Sequence, residues 1–226
     1  MFRWEDVPTD VENWAVLVID TLRATTTLVT IIDRGGDQVL TCPSVDEAFG
    51  YKRKNPSLIL GGERNNQPLP GFDAGNSPFD YPPAKIKGRS VVLTTTNGTQ
   101  AINSVKAARW VGLAALTNAR AAALCQRDQN LPGLVVCAGT VGQVAWEDVL
   151  TAGAIVALWP EEQWTDAARL AVAAYDAHRD TLQTGLLLSR HAQHLVAEGL
   201  GRDVEYASQR DLSSVVPVRQ ADGWFR

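Results

Sequence analysis

No apolar stretch in this sequence is long enough to cross a bilayer: the longest such run, residues 152–159, falls well short of the roughly 20 residues a spanning helix needs. With a mean hydropathy of -0.10, a soluble protein with no membrane partner is expected. The first residues include Glu5, Asp6 and Asp10 and lack the basic, apolar, then small-residue layout of a secretory leader, so a cytoplasmic location is expected. Cysteine is scarce. Cys42, Cys125 and Cys137 are odd in number and form no C-x-x-C pair, which argues against a disulfide framework and a thiolate zinc site. No run of lysines or arginines forms an obvious stripe for a nucleic acid backbone, and the net charge is -4, so nucleic acid is not an expected partner. Neither glycine-rich nucleotide fingerprint, G-x-x-x-x-G-K-S/T or G-x-G-x-x-G, is present, which leaves a nucleotide-dependent phosphotransferase without support. Internal repeats and low-complexity segments are absent as well.

What is present is a chain of 226 residues, 45% hydrophobic and 20% charged, sufficient for one domain over 1–226 with a substantial core. Short, nearly continuous apolar runs at 14–19, 58–60, 91–93, 111–113 and 134–137 read as strands covered on both faces. Helical segments lie between them at 25–33, 44–54, 99–108 and 118–127; the second opens with Ser44 and Glu47 in capping-box spacing. From 146 onward the chain turns helical, over 148–159, 165–175 and 182–198, with 215–218 extended. This alternation predicts an α/β fold: a mainly parallel sheet, helices on both faces, and an active site beyond the C-terminal strand ends. The long irregular stretch 61–83, rich in Gly, Pro and Asn, reads as a functional loop.

Four clusters fall at those strand ends. Asp20 follows the first run, and Arg23 with Thr25, Thr26 and Thr27 opens the next helix, a setting that suits a metal ligand and an anion at a helix N-terminus. The same residues also read as a helix cap with Arg23 in a surface ion pair. Gly61, Gly62, Glu63 and Arg64, followed by Gly75, Asn76 and Ser77, repeat the pairing of acid and arginine, although a plain surface loop looks similar. Thr94, Thr95, Thr96, Asn97, Gly98 and Thr99 between a strand and a helix suit a phosphate or sulfonate cradle, or are β-forming threonines and a turn. Glu147 and Asp148 follow the last strand and open a helix, where dipole pairing is the commoner role of such a pair. Together, Asp20, Glu63, Glu147 and Asp148 are candidates to converge on one hard cation, most simply Mg²⁺. Phosphate monoester hydrolysis is among the slowest uncatalysed reactions, and a metal with arginines supplies the charge stabilisation it needs. His191 and His194 share a helix face but have no third ligand nearby in sequence, and Cys137 reads as a small buried hydrophobe; both are assigned to structure.

The strings VLVIDTLRATTT from Val16, GGER from Gly61, GFDAGNSPFD from Gly71, VVLTTTNGT from Val91 and VVCAGTVGQVAWEDVLTAG from Val135 resemble the 2-phosphosulfolactate phosphatase family over most of the chain and in the family's order. The tail agrees more loosely, through His191 to Gly199, Asp203, Asp211 and Val216-Pro217, with Ala192 standing where the family is expected to have glycine. The resemblance implies a three-layer α/β/α fold and a Mg²⁺-dependent hydrolysis of 2-phospho-3-sulfolactate to sulfolactate and phosphate, a step of coenzyme M biosynthesis, though members occur in organisms that do not make that coenzyme. It implies Asp20 as nucleophile or metal ligand, with Glu63, Glu147 and Asp148 as metal or acid/base residues. Arg23 and Arg64 would bind phosphate and sulfonate, assisted by Asn76, Ser77, Thr95, Thr96, Asn97, Gly98 and Thr99. The Asp-x-Asp mechanism of haloacid-dehalogenase phosphatases does not carry over directly, because Leu22 occupies the second position. Another small phosphate ester as substrate, or anion binding without catalysis, is the alternative. An α/β enzyme of this size is commonly a homodimer, and that state is expected here.

Overall fold

The structure, a computed structural model, describes residues 3–226. The run Ala-Val-Leu-Val-Ile forms β1 (Ala15–Ile19), fully buried and central in a three-stranded parallel sheet, between β6 (Trp110–Ala114) and β7 (Gly133–Cys137). The register sets Ile19 opposite both Ala114 and Cys137, so all three strands end at one level. A second sheet has the order β2 (Gln38–Thr41), β5 (Ser90–Thr94), β3 (Ile59–Arg64) and β4 (Gln67–Pro68), parallel except for the β3–β4 hairpin.

Strand alternation distributes the core. Leu17 and Ile19 face a cluster that includes α5 (Ala119–Arg127), α6 (Trp146–Val156) and α7 (Asp166–Asp176). Val16 and Val18 face the other way, toward Leu28 and Ile31 of α1 (Ala24–Asp33), in a cluster shared with Val39, Ile59, Val91 and Leu93 of the second sheet. The outer face of that sheet, Leu60 and Val92, is covered by Ala48 and Phe49 of α2 (Val45–Lys54). Each such Val, Leu or Ile contributes roughly 1.5–3 kcal/mol by leaving water. The parallel sheet thus carries helices on both faces, the three-layer α/β/α arrangement.

Several elements differ from the sequence expectation. The strands divide into two sheets, and β2 was not anticipated: Gln38 and Thr41 leave only Val39 buried, too short an apolar signal. Its place is fixed by pairing with β5 and with Phe225 of the tail. Glu63 and Arg64 lie within β3 instead of following it. Short elements follow: α3 (Pro83–Ile86) and α4 (Gly98–Ser104), the latter ending four residues before the expected 108. The helix expected at 182–198 is two, α8 (Leu182–Leu186) and α9 (Arg190–Ala197), because Ser189 caps the second by accepting from the Ala192 N–H at 2.9 Å. A further helix, α10 (Gly201–Ala207), follows α9 after Leu200 and is not among the expected elements. Residues 217–218 do run alongside β6, where the Leu113 N–H donates to the Pro217 carbonyl. Among the described residues no helix is long and apolar enough to cross a membrane.

Candidate active site

Where β1 ends, the buried chain turns sharply into α1. Asp20, 7% exposed, accepts the Ala24 N–H on Oδ1 at 3.2 Å, and its backbone N–H donates to the Thr25 hydroxyl. Asp20 therefore caps α1, as the structural reading of this segment holds, yet its Oδ2 makes no hydrogen bond among the described residues. Gly98 lies against it: a Cβ there would come within 2.7 Å of Oδ2 and 2.6 Å of the Ala24 Cβ. Only glycine permits that approach.

Arg23 is 4% exposed, and its Nη1 donates to Asp203 Oδ2 of α10 at 2.7 Å, while Ser77 donates to the other Asp203 oxygen, also at 2.7 Å. Arg23 Nη2 is buried with no partner among the described residues. Leaving a buried cationic donor unpaired is costly, so a guanidinium with one arm clamped and one arm free is arranged for an anion.

Asp20 and Arg23 line a cavity of about 20 Å³. Asp20, Leu22 and Arg23 come from the β1–α1 turn, Glu63 and Asn66 from the β3–β4 hairpin, Asn76 from the following loop, Thr95 and Asn97 from the β5–α4 turn, and His191 from α9. Glu63 Oε1 accepts from the Thr96 N–H and hydroxyl, and Oε2 from the Asn66 N–H. Thr95 and Thr99 hydrogen-bond each other across the turn. The Asn76 Oδ1 and His191 Nε2 atoms are buried without partners among the described residues. Burial, followed by the charges of Glu147 and Glu63, pushes the Asp20 carboxyl up to about 7. Burial, with Arg23 nearby, pushes His191 down to about 4.

The family model described as 2-phosphosulpholactate phosphatase matches residues 1–222. The chain belongs to that family. Its relatives include a protein of Thermotoga petrophila, 36% identical over 208 residues that cover 92% of this chain and 90% of the relative. Another, from Deinococcus radiodurans, is 39% identical over 209 residues, 89% of this chain and 86% of the relative. A third, from Carboxydothermus hydrogenoformans, is 36% identical over 207 residues, 91% and 86% respectively. Each is named a probable 2-phosphosulfolactate phosphatase, so the family is one of phosphoric monoester hydrolases.

In this member of the 2-phosphosulpholactate phosphatase family, Asp20, Arg23, Glu63, Asn76, Thr95 and Asn97, all candidates from the sequence, line the same cavity. Gly98 and Thr99 support them, and Ser77 acts one step away, by holding Asp203. Other candidates stand elsewhere. Arg64 does not line the cavity; its guanidinium donates to the carbonyls of Glu63 and Pro43 and to the Thr94 hydroxyl. Thr96 is exposed and braces Glu63. Asp148 accepts from the Thr21 N–H at 2.8 Å and the Gly139 N–H at 3.0 Å, tying the loops after β1 and β7 together. Glu147 opens on a neighbouring cavity of about 400 Å³, with Oε1 3.8 Å from His191 Nδ1. Burial raises both carboxyls above their ordinary values, Asp148 well above.

The four carboxylates thus do not share one cavity, and among the described residues no three His, Cys, Asp or Glu side chains group as a metal site. Asp20, Glu63 and the unpartnered Asn76 Oδ1 nonetheless form a hard-oxygen donor set, which fits Mg²⁺, an ion held by one or two carboxylates and completed by phosphate and water. His191, which the sequence reading assigned to structure, lines the cavity, and Asp203, named there only in the family-like tail, holds Arg23. Both arrive from C-terminal helices, and the only available signal was their place in the family-like tail.

Proposed function

We propose that this chain is a phosphatase that hydrolyses 2-phospho-3-sulfolactate to 3-sulfolactate and inorganic phosphate, with Mg²⁺ as cofactor. The names of its relatives supply the substrate. The observation that carries the chemistry is the buried Arg23 Nη2, free of partners in the cavity that also holds Asp20. Because Asp203 and Ser77 fix the other arm, Arg23 receives a phosphoryl oxygen without reorganising, and the surrounding burial strengthens that contact. Asp20 keeps Oδ1 on the Ala24 N–H and holds Oδ2 free for the reacting group or the cation. Glu63 stays in place through Thr96 and Asn66, and Leu22 helps to exclude water. Asp20, Glu63 and Asn76 are the residues that would hold Mg²⁺, which when bound neutralises and polarises the phosphoryl oxygens.

Phosphate release from racemic 2-phospho-3-sulfolactate is the test, measured with Mg²⁺ and with EDTA. Wild type is expected to need the metal, Asp20→Asn to lose turnover, and Arg23→Gln to lose about 10²–10³-fold in kcat, the range for removing one charge-stabilising donor. Folded protein that releases no phosphate with any divalent metal would sink the proposal.

A further inference from the structure

A cavity of about 20 Å³ is far too small for a whole organic phosphate, so it admits only the end of a ligand. The remainder of an organic phosphate must lie in a space that opens onto it. One such space, of about 310 Å³, shares Glu63, Asn66, Asn97 and His191 with the inner cavity and is also lined by Arg190, which is not part of the inner cavity. That volume lies within the range of small-molecule sites.

The charges in this outer space are unevenly committed. Glu63 accepts from Thr96 and Asn66 and is also one of the residues that would hold Mg²⁺. His194 Nε2 lies 3.2 Å from Glu198 Oε1. The side chain of Arg190, exposed at the first position of α9 beside the His191 of the inner cavity, makes no hydrogen bond or ion pair among the described residues. It also lines the 400 Å³ cavity, together with His191, so Arg190 borders both of the open spaces. An uncommitted guanidinium offers a fork that matches the oxygens of a sulfonate or carboxylate in a way a lysine does not.

We infer that Arg190 is a specificity-determining residue: it binds the anionic group that stays on the alcohol product while the phosphoryl end enters the cavity of Asp20 and Arg23. This rests on the phosphatase reading above and adds to it a second anion site supplied by a different helix. The two arginines then divide the ligand, Arg23 taking the part that is transferred and Arg190 the part that is released.

Three esters separate the possibilities: 2-phospho-3-sulfolactate, 2-phospholactate, which lacks the sulfonate, and 2-(phosphooxy)ethanesulfonate, which lacks the carboxylate. Arg190→Gln is expected to lower kcat/KM on the full substrate at least tenfold, mainly through KM. The penalty should shrink on the analogue missing the group that Arg190 holds, and Arg190→Lys should recover part of the loss. An equal penalty on all three esters, or none on the full substrate, overturns the inference. Calorimetric titration with 3-sulfolactate probes the same contact without turnover. Arg190→Gln should weaken that binding about tenfold, and an unchanged affinity overturns the assignment even if the phosphatase reading itself fails for lack of phosphate release.

Discussion

At the residue scale, what distinguishes this site is how its charges are buried. Arg23 and Asp203 are 4% and 3% exposed in their side chains, and the pair is held further by Ser77. Removing one partner from such a pair leaves an uncompensated buried charge and costs about 3–5 kcal/mol, whereas replacing both with apolar groups is often neutral. Asp203→Ala is therefore expected to lower the urea midpoint strongly. An Arg23→Met/Asp203→Leu double variant should recover most of that stability yet remain inactive. If the double variant were as unstable as the single one, the pair would be acting through packing and not charge. Asp20 and Arg23 were legible in the sequence because an apolar run ending in Asp, then Arg, marks a strand end on its own. Arg64 repeats the same pattern yet lies outside that cavity, because no local signal tells which side of a hairpin a long side chain takes. Asp203 was illegible as a partner of Arg23: 180 residues separate them, and only the fold of α10 brings them together.

The element scale shows why α6 matters. Its first turn carries Asp148, whose two oxygens tie the loops after β1 and β7, so the position of this helix sets the position of Asp20's turn. Its middle carries Gly153, where a Cβ would lie 2.6 Å from the Tyr175 Cβ and 2.7 Å from the Ala171 carbonyl carbon of α7. Helix propensity alone would favour alanine there by about 0.8–1.0 kcal/mol. Overpacking against backbone typically costs about 1–3 kcal/mol, so the clash should win. Gly153→Ala is expected to destabilise the protein in urea denaturation and to weaken activity through the displaced first turn. A stabilised Gly153→Ala variant would mean that α7 gives way easily and that the close approach has no structural role. The strands and most helices were legible from apolar runs, since β1, β5, β6 and β7 are buried on both faces. The half-polar β2, the break at Ser189 and α10 were not, because tertiary pairing and capping decide them where local hydrophobicity is weak.

Across the whole molecule, the buried carboxyls of the loop region couple function to stability. Burial, with Glu147 and Glu63 close by, raises Asp20 from 3.8 to about 7, and burial raises Glu147 and Asp148 as well. A carboxyl whose folded value lies above its unfolded one binds more proton in the folded chain, so its stabilising contribution is full at low pH and is lost as pH rises through the folded value. For Asp20 that window runs from about 4 to about 7. His191 acts in the opposite sense: its value falls from 6.5 to about 4, so over nearly the same range the unfolded chain binds the proton and rising pH is favourable. Three carboxyls oppose one imidazole, and the net expectation is that the metal-free protein is more stable near pH 5 than near pH 8. Thermal unfolding in EDTA across that range checks it, and a Tm that climbs steadily toward pH 8 would refute it. Asp20→Asn removes the charge while its amide oxygen can still accept the Ala24 N–H, so this variant should show a shallower pH dependence and a higher Tm than wild type at pH 8 while losing turnover. Such an outcome would identify the Asp20 charge as a destabilising feature of the metal-free fold, kept where an anionic ligand and a cation are brought together.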